Sequence, residues 1–144
     1  MKINIKIEID GKVVENMERE VLDRVASNRV SQYARIFDSG CLGWSRNPEC
    51  NLLFLKQQEA NATAVLEKRG YLFLNDVYDM LGYPRTQQGQ LVGWIYDEKD
   101  PIRDSFVDFG IYKDFIGNHN FVNGFENSIL LDFNVDGVIF DKLE

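Results

Sequence analysis

The second half of the chain constrains the fold most, because its apolar residues recur in short runs separated by turn-forming residues. From Tyr71 to Phe140, aromatic and branched residues alternate with Gly, Pro, Asn and Asp. Such runs, bounded by turn residues, are typical of short strands joined by tight turns. They predict strands over residues 91–96, 105–112, 128–135 and 138–140. We therefore expect a mainly antiparallel sheet in the C-terminal half.

The N-terminal segment predicts a strand or a hairpin. Four isoleucines between Ile3 and Ile9 alternate with polar residues, which is the period of a half-buried strand. The dipeptide Asp10-Gly11 follows, and it is favoured in two-residue hairpin turns. Residues 12–15 then provide a return strand.

Two helices are expected between these strands. Apolar residues at helical spacing predict the first over about residues 17–37. Asn47-Pro48 is a capping residue followed by proline at the first helical position, and Arg69-Gly70 is a favourable helix end. The second helix is therefore predicted over residues 48–69. The fold class is α+β, and the length of 144 residues predicts a single domain over 1–144.

The charge balance bears on the class of partner. The chain carries 23 acidic and 16 basic side chains, which give a formal net charge of -7. An acidic surface repels phosphate backbones, so we expect no direct nucleic-acid binding. The same charge fits simple solubility, a basic protein partner, or carboxylates that imitate the charge of a nucleic acid. The sequence leaves these three interpretations open.

The cysteines and the hydropathy pattern predict a cytoplasmic protein. Cys41 and Cys50 form no CxxC motif, and we expect both to be reduced thiols. The N-terminal residues have no long apolar core, so they do not resemble a secretory leader. No window approaches the roughly 20 apolar residues of a membrane helix, so no membrane partner is expected.

One local pattern raises the possibility of a metal site. Asp132, Asn134, Asp136 and Gly137 match the opening of an EF-hand calcium loop. The bidentate glutamate that should close the loop is replaced by Leu143, and the preceding residues favour a strand. We therefore favour a strand with alternating polar side chains that leads into an Asp-Gly turn. A calcium- or magnesium-dependent module or hydrolase, helped by the acids of residues 97–108, is the alternative.

The residues of nucleophilic catalysis are not assembled in any recognisable motif. His119 is the single histidine, it lies between two asparagines, and no GxSxG motif exists. We therefore expect no enzymatic activity and no cofactor. The sequence instead favours a protein that acts by binding.

The interaction candidates are aromatic residues in the sheet-forming half and one loop arginine. Aromatic side chains are the usual anchors of protein interfaces. The candidates are Tyr71, Tyr83, Arg85, Trp94, Tyr96 and Tyr112. Burial in the core is the commoner fate of a tryptophan. A weaker alternative is small-ligand binding through Arg85 and the Gly-Trp segments.

Four longer segments carry a resemblance to a known family. They are GYLFLNDVYDMLG at 70–82, VGWIY at 92–96, DSFVDFGI at 104–111 and SILLDFNVDG at 128–137. Over roughly residues 43–137 the chain resembles an uncharacterised family encoded by phages and prophages of Gram-positive anaerobes. That family has no established activity, so the resemblance assigns no site residues.

The resemblance implies a context rather than a mechanism. It implies a phage or mobile-element product made in the cytoplasm of a bacterial host, and possible incorporation into the virion. We expect a non-enzymatic accessory protein and a homo-oligomer. The expected partner is a phage structural protein, for virion assembly, or a host defence protein, for inhibition of a host defence complex.

Overall fold

The computed structural model describes residues 2–3, 7–9, 12–14, 17–18, 31–113 and 118–143. The helices are α1 (Pro48–Arg69), α2 (Leu74–Leu81) and α3 (His119–Val122). The strands are β1 (Lys2–Ile3), β2 (Ile7–Ile9), β3 (Lys12–Val14), β4 (Met17–Glu18), β5 (Arg35–Phe37), β6 (Tyr71–Phe73), β7 (Val92–Ile95), β8 (Ile129–Leu131) and β9 (Gly137–Val138). Short 3-10 turns cover Gln88–Gln90 and Phe140–Lys142.

Every strand pair in the described residues is antiparallel. The pairs are β1 with β4, β2 with β3, and β5 with β8. The remaining sheet has three strands in the order β6-β7-β9, so β7 is central. These elements confirm the α+β fold class and the antiparallel sheet predicted for the C-terminal half.

The chain divides into two compact units. Unit 1 comprises Met1–Gly40, Trp44–Leu52 and Phe109–Phe133, and unit 2 comprises Cys41–Gly43, Leu53–Asp108 and Asn134–Glu144. Both units are therefore assembled from segments that are distant in the sequence. The single domain over 1–144 stays a prediction.

The first residues confirm one prediction and correct another. β2 and β3 pair with Ile9 opposite Lys12, as in the predicted hairpin, while Asp10-Gly11 lies outside the described residues. The helix predicted over 17–37 is wrong at both ends, because β4 and β5 are strands there. Residues 19–30 lie outside the described residues. A short apolar run fits either period, and pairing with the fully buried β8 decides the conformation of β5.

Aromatic pairs fill the interior of unit 1. The rings of Phe37 and Phe121 meet edge to face at 6.5 Å, and those of Phe109 and Phe133 meet at 5.3 Å. All four side chains are buried. Such contacts add specific geometry to the large apolar area that each ring removes from water.

Helix α1 is confirmed with the predicted bounds. The Asn47 side chain caps it by accepting a hydrogen bond from the Glu49 backbone N–H at 2.9 Å. Gly70 ends it with a left-handed φ of +89°, a conformation that glycine adopts without steric cost. Leu55, Ala62 and Leu66 lie on its buried face in unit 2.

The outer edge of β6 is covered by two charged side chains. Tyr96 N donates to Gly70 O at 3.0 Å, so the alternation of an antiparallel pair turns the backbone groups of Tyr71 and Phe73 away from β7. Arg69 Nε donates to Tyr71 O at 3.1 Å, and Phe73 N donates to Asp76 Oδ2 at 3.0 Å. Arg69 and Asp76 also pair with each other at 2.9 Å. This Arg69–Asp76 pair therefore occupies two hydrogen-bonding groups of the edge, Tyr71 O and Phe73 N.

The strand predicted over residues 105–112 is wrong. Ser105 and Gly110 have positive φ values of 59° and 73°, which turn the chain out of an extended path. In unit 2, side-chain oxygens, rather than the backbone carbonyls of a neighbouring strand, accept the hydrogen bonds of two backbone N–H groups in this segment. Val107 N donates to Thr63 Oγ1 at 3.0 Å. Asp108 N likewise donates to Asn134 Oδ1 at 2.7 Å.

Of the last two predicted strands, the first is confirmed in shorter form, and the second shares only Val138 with the observed strand. Of residues 128–135 only β8 is a strand, and β9 covers Gly137–Val138 where residues 138–140 were predicted. Phe140 begins a 3-10 turn, in which Lys142 N donates to Ile139 O at 2.9 Å.

Candidate interaction site

A cavity of about 460 Å³ opens beside β9 in unit 2, and we call it the β9 cavity. Its apolar wall consists of Ile102, Val135, Val138 and Ile139. Its polar wall comes from the turn at residues 100–104 and from Asn134, Asp136 and Lys142. The cavity thus combines the apolar and charged groups of two segments that lie far apart in sequence.

Arg103 ties the turn to the sheet. Its Nε donates to Asp100 Oδ2 at 3.0 Å, and its Nη1 lies 3.4 Å from Asp136 Oδ2. Asp136 Oδ2 also accepts the Ile95 backbone N–H at 3.0 Å. The Asp136 side chain is 11% exposed. This burial raises its pKa, and the opposing effects of the Ile95 N–H and of Arg103 are smaller.

Asn134 is the centre of the hydrogen-bond network below the cavity. Its Oδ1 accepts from Trp94 Nε1 at 2.9 Å and from Asp108 N at 2.7 Å. Its Nδ2 donates to Asp104 Oδ2 at 2.9 Å and to Phe106 O at 3.0 Å. One amide therefore fixes both the central strand and the segment 104–108, which carries part of the cavity wall.

Three apolar side chains at the cavity or next to it in the chain are exposed. Ile102 is 90% exposed and Val138 51%, and Phe140, which follows the lining residue Ile139, is 61% exposed. Single exposed apolar residues are ordinary on protein surfaces. Several of them around one concave site are typical of an interaction surface.

A second cavity of about 380 Å³ adjoins the first, and we call it the Tyr96 cavity. It shares Arg103 and Asp104 with the β9 cavity and adds Glu67, Tyr96 and Glu98. The Tyr96 hydroxyl donates a hydrogen bond to the Glu98 carboxylate. This bond, with smaller effects of desolvation and of the charges of Glu98 and Glu67, raises the pKa of Tyr96 to about 12. The phenol therefore stays protonated in a negatively charged environment.

The prediction of Trp94 as an exposed interaction residue is wrong. Its side chain is 0% exposed, and its indole N–H donates to the backbone oxygen of Asn134 at 2.8 Å as well as to the side-chain oxygen. The ring belongs to the core of unit 2. Tyr96, by contrast, lines the cavity named after it.

The remaining predicted interaction residues line neither of these two cavities. Arg69 lies over the Tyr71 ring at 4.4 Å, and Tyr83 packs edge to face on Tyr78 at 6.0 Å. Arg85 binds Asp79 with Nε at 3.0 and 3.1 Å and also through Nη2. The bond lowers the pKa of Asp79 and raises that of Arg85. Tyr112 is exposed and belongs to unit 1.

The three oxygen-bearing residues of the EF-hand-like pattern enter separate networks. Asp132, in unit 1, accepts from Lys113 Nζ at 3.0 Å and from Ser31 N at 3.3 Å. Asn134 and Asp136, in unit 2, accept the bonds described above. Within residues 31–113 and 118–143, no group of three or more His, Cys, Asp or Glu side chains is arranged to hold a metal ion. The motif has a structural role in each unit.

The exposed apolar residues at the β9 cavity were not predicted from the sequence. Ile102 stands between Pro101 and Arg103 in an acidic stretch, where no periodic pattern offers it a core position. That isolation was the available signal for an exposed apolar residue. Val138 and Phe140 gave none, because they were assigned to a strand.

In the part of the chain that the structure describes, no helix is long and apolar enough to cross a membrane.

Comparison with known proteins places the chain in a family. No curated protein and no solved structure matches the sequence. The sequence profile of the family of unknown function DUF6353 matches residues 3–143. The chain therefore belongs to the DUF6353 family.

Proposed function

We propose that the protein is a non-enzymatic interaction module that binds a protein partner through the β9 cavity and its apolar rim. The observation that carries this proposal is the exposure of the lining residues Ile102 and Val138, at 90% and 51%, and of Phe140, at 61%, which follows the lining residue Ile139 in the chain. Fully burying an apolar side chain of this size contributes about 1.5–3 kcal/mol. A few such anchors supply most of the binding energy of an interface.

The cellular setting that we propose is that of a phage or prophage accessory protein in a bacterial host. The support is the resemblance of the segments at 70–82, 92–96, 104–111 and 128–137. Virion assembly and inhibition of a host defence complex both fit, and self-association is part of the proposal. The net charge of -7 supports the second role, because a host complex that handles nucleic acid presents basic surfaces.

The other functions considered have less support. A metal-dependent role would need the oxygens of Asp132, Asn134 and Asp136, and these accept hydrogen bonds from the protein itself. A small-ligand site at Arg85 and Trp94 would need an accessible indole, and Trp94 is fully buried.

The test is affinity capture from bacterial lysates, with and without phage infection, by the wild-type protein and two matched variants. Ile102→Ser removes an apolar side chain that is 90% exposed at the cavity, and Phe125→Ser removes one that is 81% exposed in unit 1. We expect quantitative mass spectrometry to find a protein that the wild type and Phe125→Ser retain. Ile102→Ser should recover at least about tenfold less of it. Equal recovery by all three proteins would contradict the proposed site.

Light scattering tests the self-association. An oligomer at micromolar concentration is expected for the wild type and for Phe125→Ser, and a monomer at every concentration would remove that part of the proposal.

A further inference from the structure

We infer that the partner segment bound at the two cavities carries an apolar side chain next to a Lys or Arg side chain. This inference rests on the proposed function and adds the chemistry of the partner. The apolar side chain occupies the β9 cavity, and the cation occupies the Tyr96 cavity.

The surface around the apolar wall is acidic. Five carboxylates and two cations line the two cavities. One of the cations, Arg103, already binds Asp100 and Asp136. Over residues 97–108 and 134–143 there are seven acidic and three basic side chains. The resulting field attracts a cationic segment and repels an acidic one, so it selects among segments of equal apolar content.

The apolar wall of one cavity lies next to the acidic wall of the other. The cavities share Arg103 and Asp104, so an occupant of one has the other beside it. The β9 cavity offers Ile102, Val138 and Ile139 to an apolar side chain. The Tyr96 cavity offers the Glu67 and Glu98 carboxylates to an ammonium or guanidinium group. Neighbouring side chains of one short segment therefore find complementary surroundings.

A second copy of this chain is a poorer occupant, because its net charge of -7 opposes docking on this acidic surface. The proposed self-association should therefore use another surface. Concentration-dependent shifts at the cavity residues without any peptide would contradict this assignment.

The experiment is a ¹⁵N NMR titration of the full chain with capped synthetic peptides. The probe is a short peptide in which Lys and Ile alternate. One control replaces each Lys by Glu, and the other replaces each Ile by Ser. We expect the first peptide to shift the amide signals of Ile102, Val138 and Glu98, with affinity that falls as salt is raised. We expect neither control peptide to shift them. Equal binding of the Lys and Glu peptides would overturn the inference.

Charge variants sharpen the same titration. Glu67→Gln and Glu98→Gln should each weaken binding of the Lys–Ile peptide about two- to fivefold, as expected for an exposed ion pair. Glu49→Gln makes the same charge change in unit 1 and should leave the affinity unchanged. Equal affinity for all of these variants would overturn the inference.

The two levels of the proposal fail in different ways. If Ile102→Ser abolishes capture of the cellular partner while Glu67→Gln and Glu98→Gln retain it, the cationic partner is wrong and the interaction site stands. If Ile102→Ser captures the partner as well as the wild type does, the interaction site itself is wrong, and the inference falls with it.

Discussion

The two edges of the three-stranded sheet are finished in opposite ways. At β6 the Arg69–Asp76 pair occupies the Tyr71 carbonyl and the Phe73 N–H, which both point away from β7. At β9 the edge is only two residues long and borders a cavity whose apolar rim is exposed. Unprotected strand edges invite pairing with other chains. The sheet therefore has charged side chains over one edge and accessible apolar surface at the other.

The two edges also differ in which parts of the sequence form them. The β6 edge is covered by residues from the same stretch of chain, Arg69 and Asp76, so local sequence alone protects it. The β9 edge depends on a turn that Arg103 and Asn134 attach to the sheet across some thirty residues of sequence. Protection is local, whereas the proposed binding surface needs the completed fold of unit 2.

The largest effect is expected from Gly93→Ala in β7, the strand that both edges share. A β-carbon there would lie 2.8 Å from Phe73 Cα and far inside van der Waals contact with Leu72 O. These are backbone atoms, so β6 and β7 would have to separate. We expect a loss of about 3 kcal/mol in the free energy of unfolding, measured with urea.

Gly70→Ala is the control for that substitution. Its β-carbon would meet nothing within 4 Å, but its φ is +89°. It should lose only about 1–2 kcal/mol from the left-handed conformation. Equal losses at the two glycines would contradict the expected backbone clash between β6 and β7.

The second effect concerns the β9 side alone. Asn134→Ala removes the acceptor of Asp108 N and the donor to Asp104, and it should cost about 2–3 kcal/mol. Hydrogen exchange should accelerate at residues 104–108 and 137–139 more than at β6. Asn75→Ala removes another side-chain amide, which binds Thr86, and should not accelerate exchange at 104–108. Uniform acceleration in both variants would contradict the distinction between the edges.

The third effect tests the protection of β6. Asp76→Ala removes the acceptor of Phe73 N and one half of the ion pair, and it should cost about 1 kcal/mol. It should also produce association beyond that of the wild type, seen by light scattering, because the edge becomes available. Asp79→Ala breaks the other ion pair of α2, with Arg85, away from this edge. If both variants associate to the same extent, loss of charge rather than edge exposure is the cause.

The smallest effect is the pH dependence of two carboxylates. Burial raises the pKa of Asp136 above its ordinary value of 3.8. Its contribution to stability is therefore present below about pH 3.8 and is lost as the pH rises through the raised pKa. Relative to Asp136→Asn, the wild type should gain stability on acidification, as measured by urea midpoints.

The contribution of Asp79 to stability should change with pH in the opposite direction. Arg85 lowers its pKa, so its contribution is present above 3.8 and is lost as the pH falls through the lowered value. Relative to Asp79→Asn, the wild type should lose stability on acidification. The same sign for both residues would contradict the assignment of burial at Asp136.

Sequence reasoning succeeded where the decisive interactions are local. The cap at Asn47 and the glycine at 70 define α1 within one turn at each end, and its bounds were predicted as observed. The pairing of β2 with β3 follows from alternation and a turn dipeptide. These features need no knowledge of distant residues.

Prediction from the sequence failed where contacts between residues far apart in sequence decide the structure. Val107 is held by Thr63 across 44 positions, and Trp94 by Asn134 across 40. A strand over 105–112 and an exposed Trp94 were reasonable from local pattern and wrong for that reason. The cavity was missed altogether, because Ile102 and Val138 meet only once unit 2 is complete.

The order of segments in unit 2 also determines when the β9 cavity can form during synthesis. During translation β7 leaves the ribosome well before β9, and until then the Trp94 indole lacks its acceptors on Asn134. A nascent chain that stops short of Val138 has neither the third strand nor the β9 cavity. Prematurely terminated fragments should therefore not compete for the proposed partner, and the proposed docking at this surface should begin only after synthesis has passed that point.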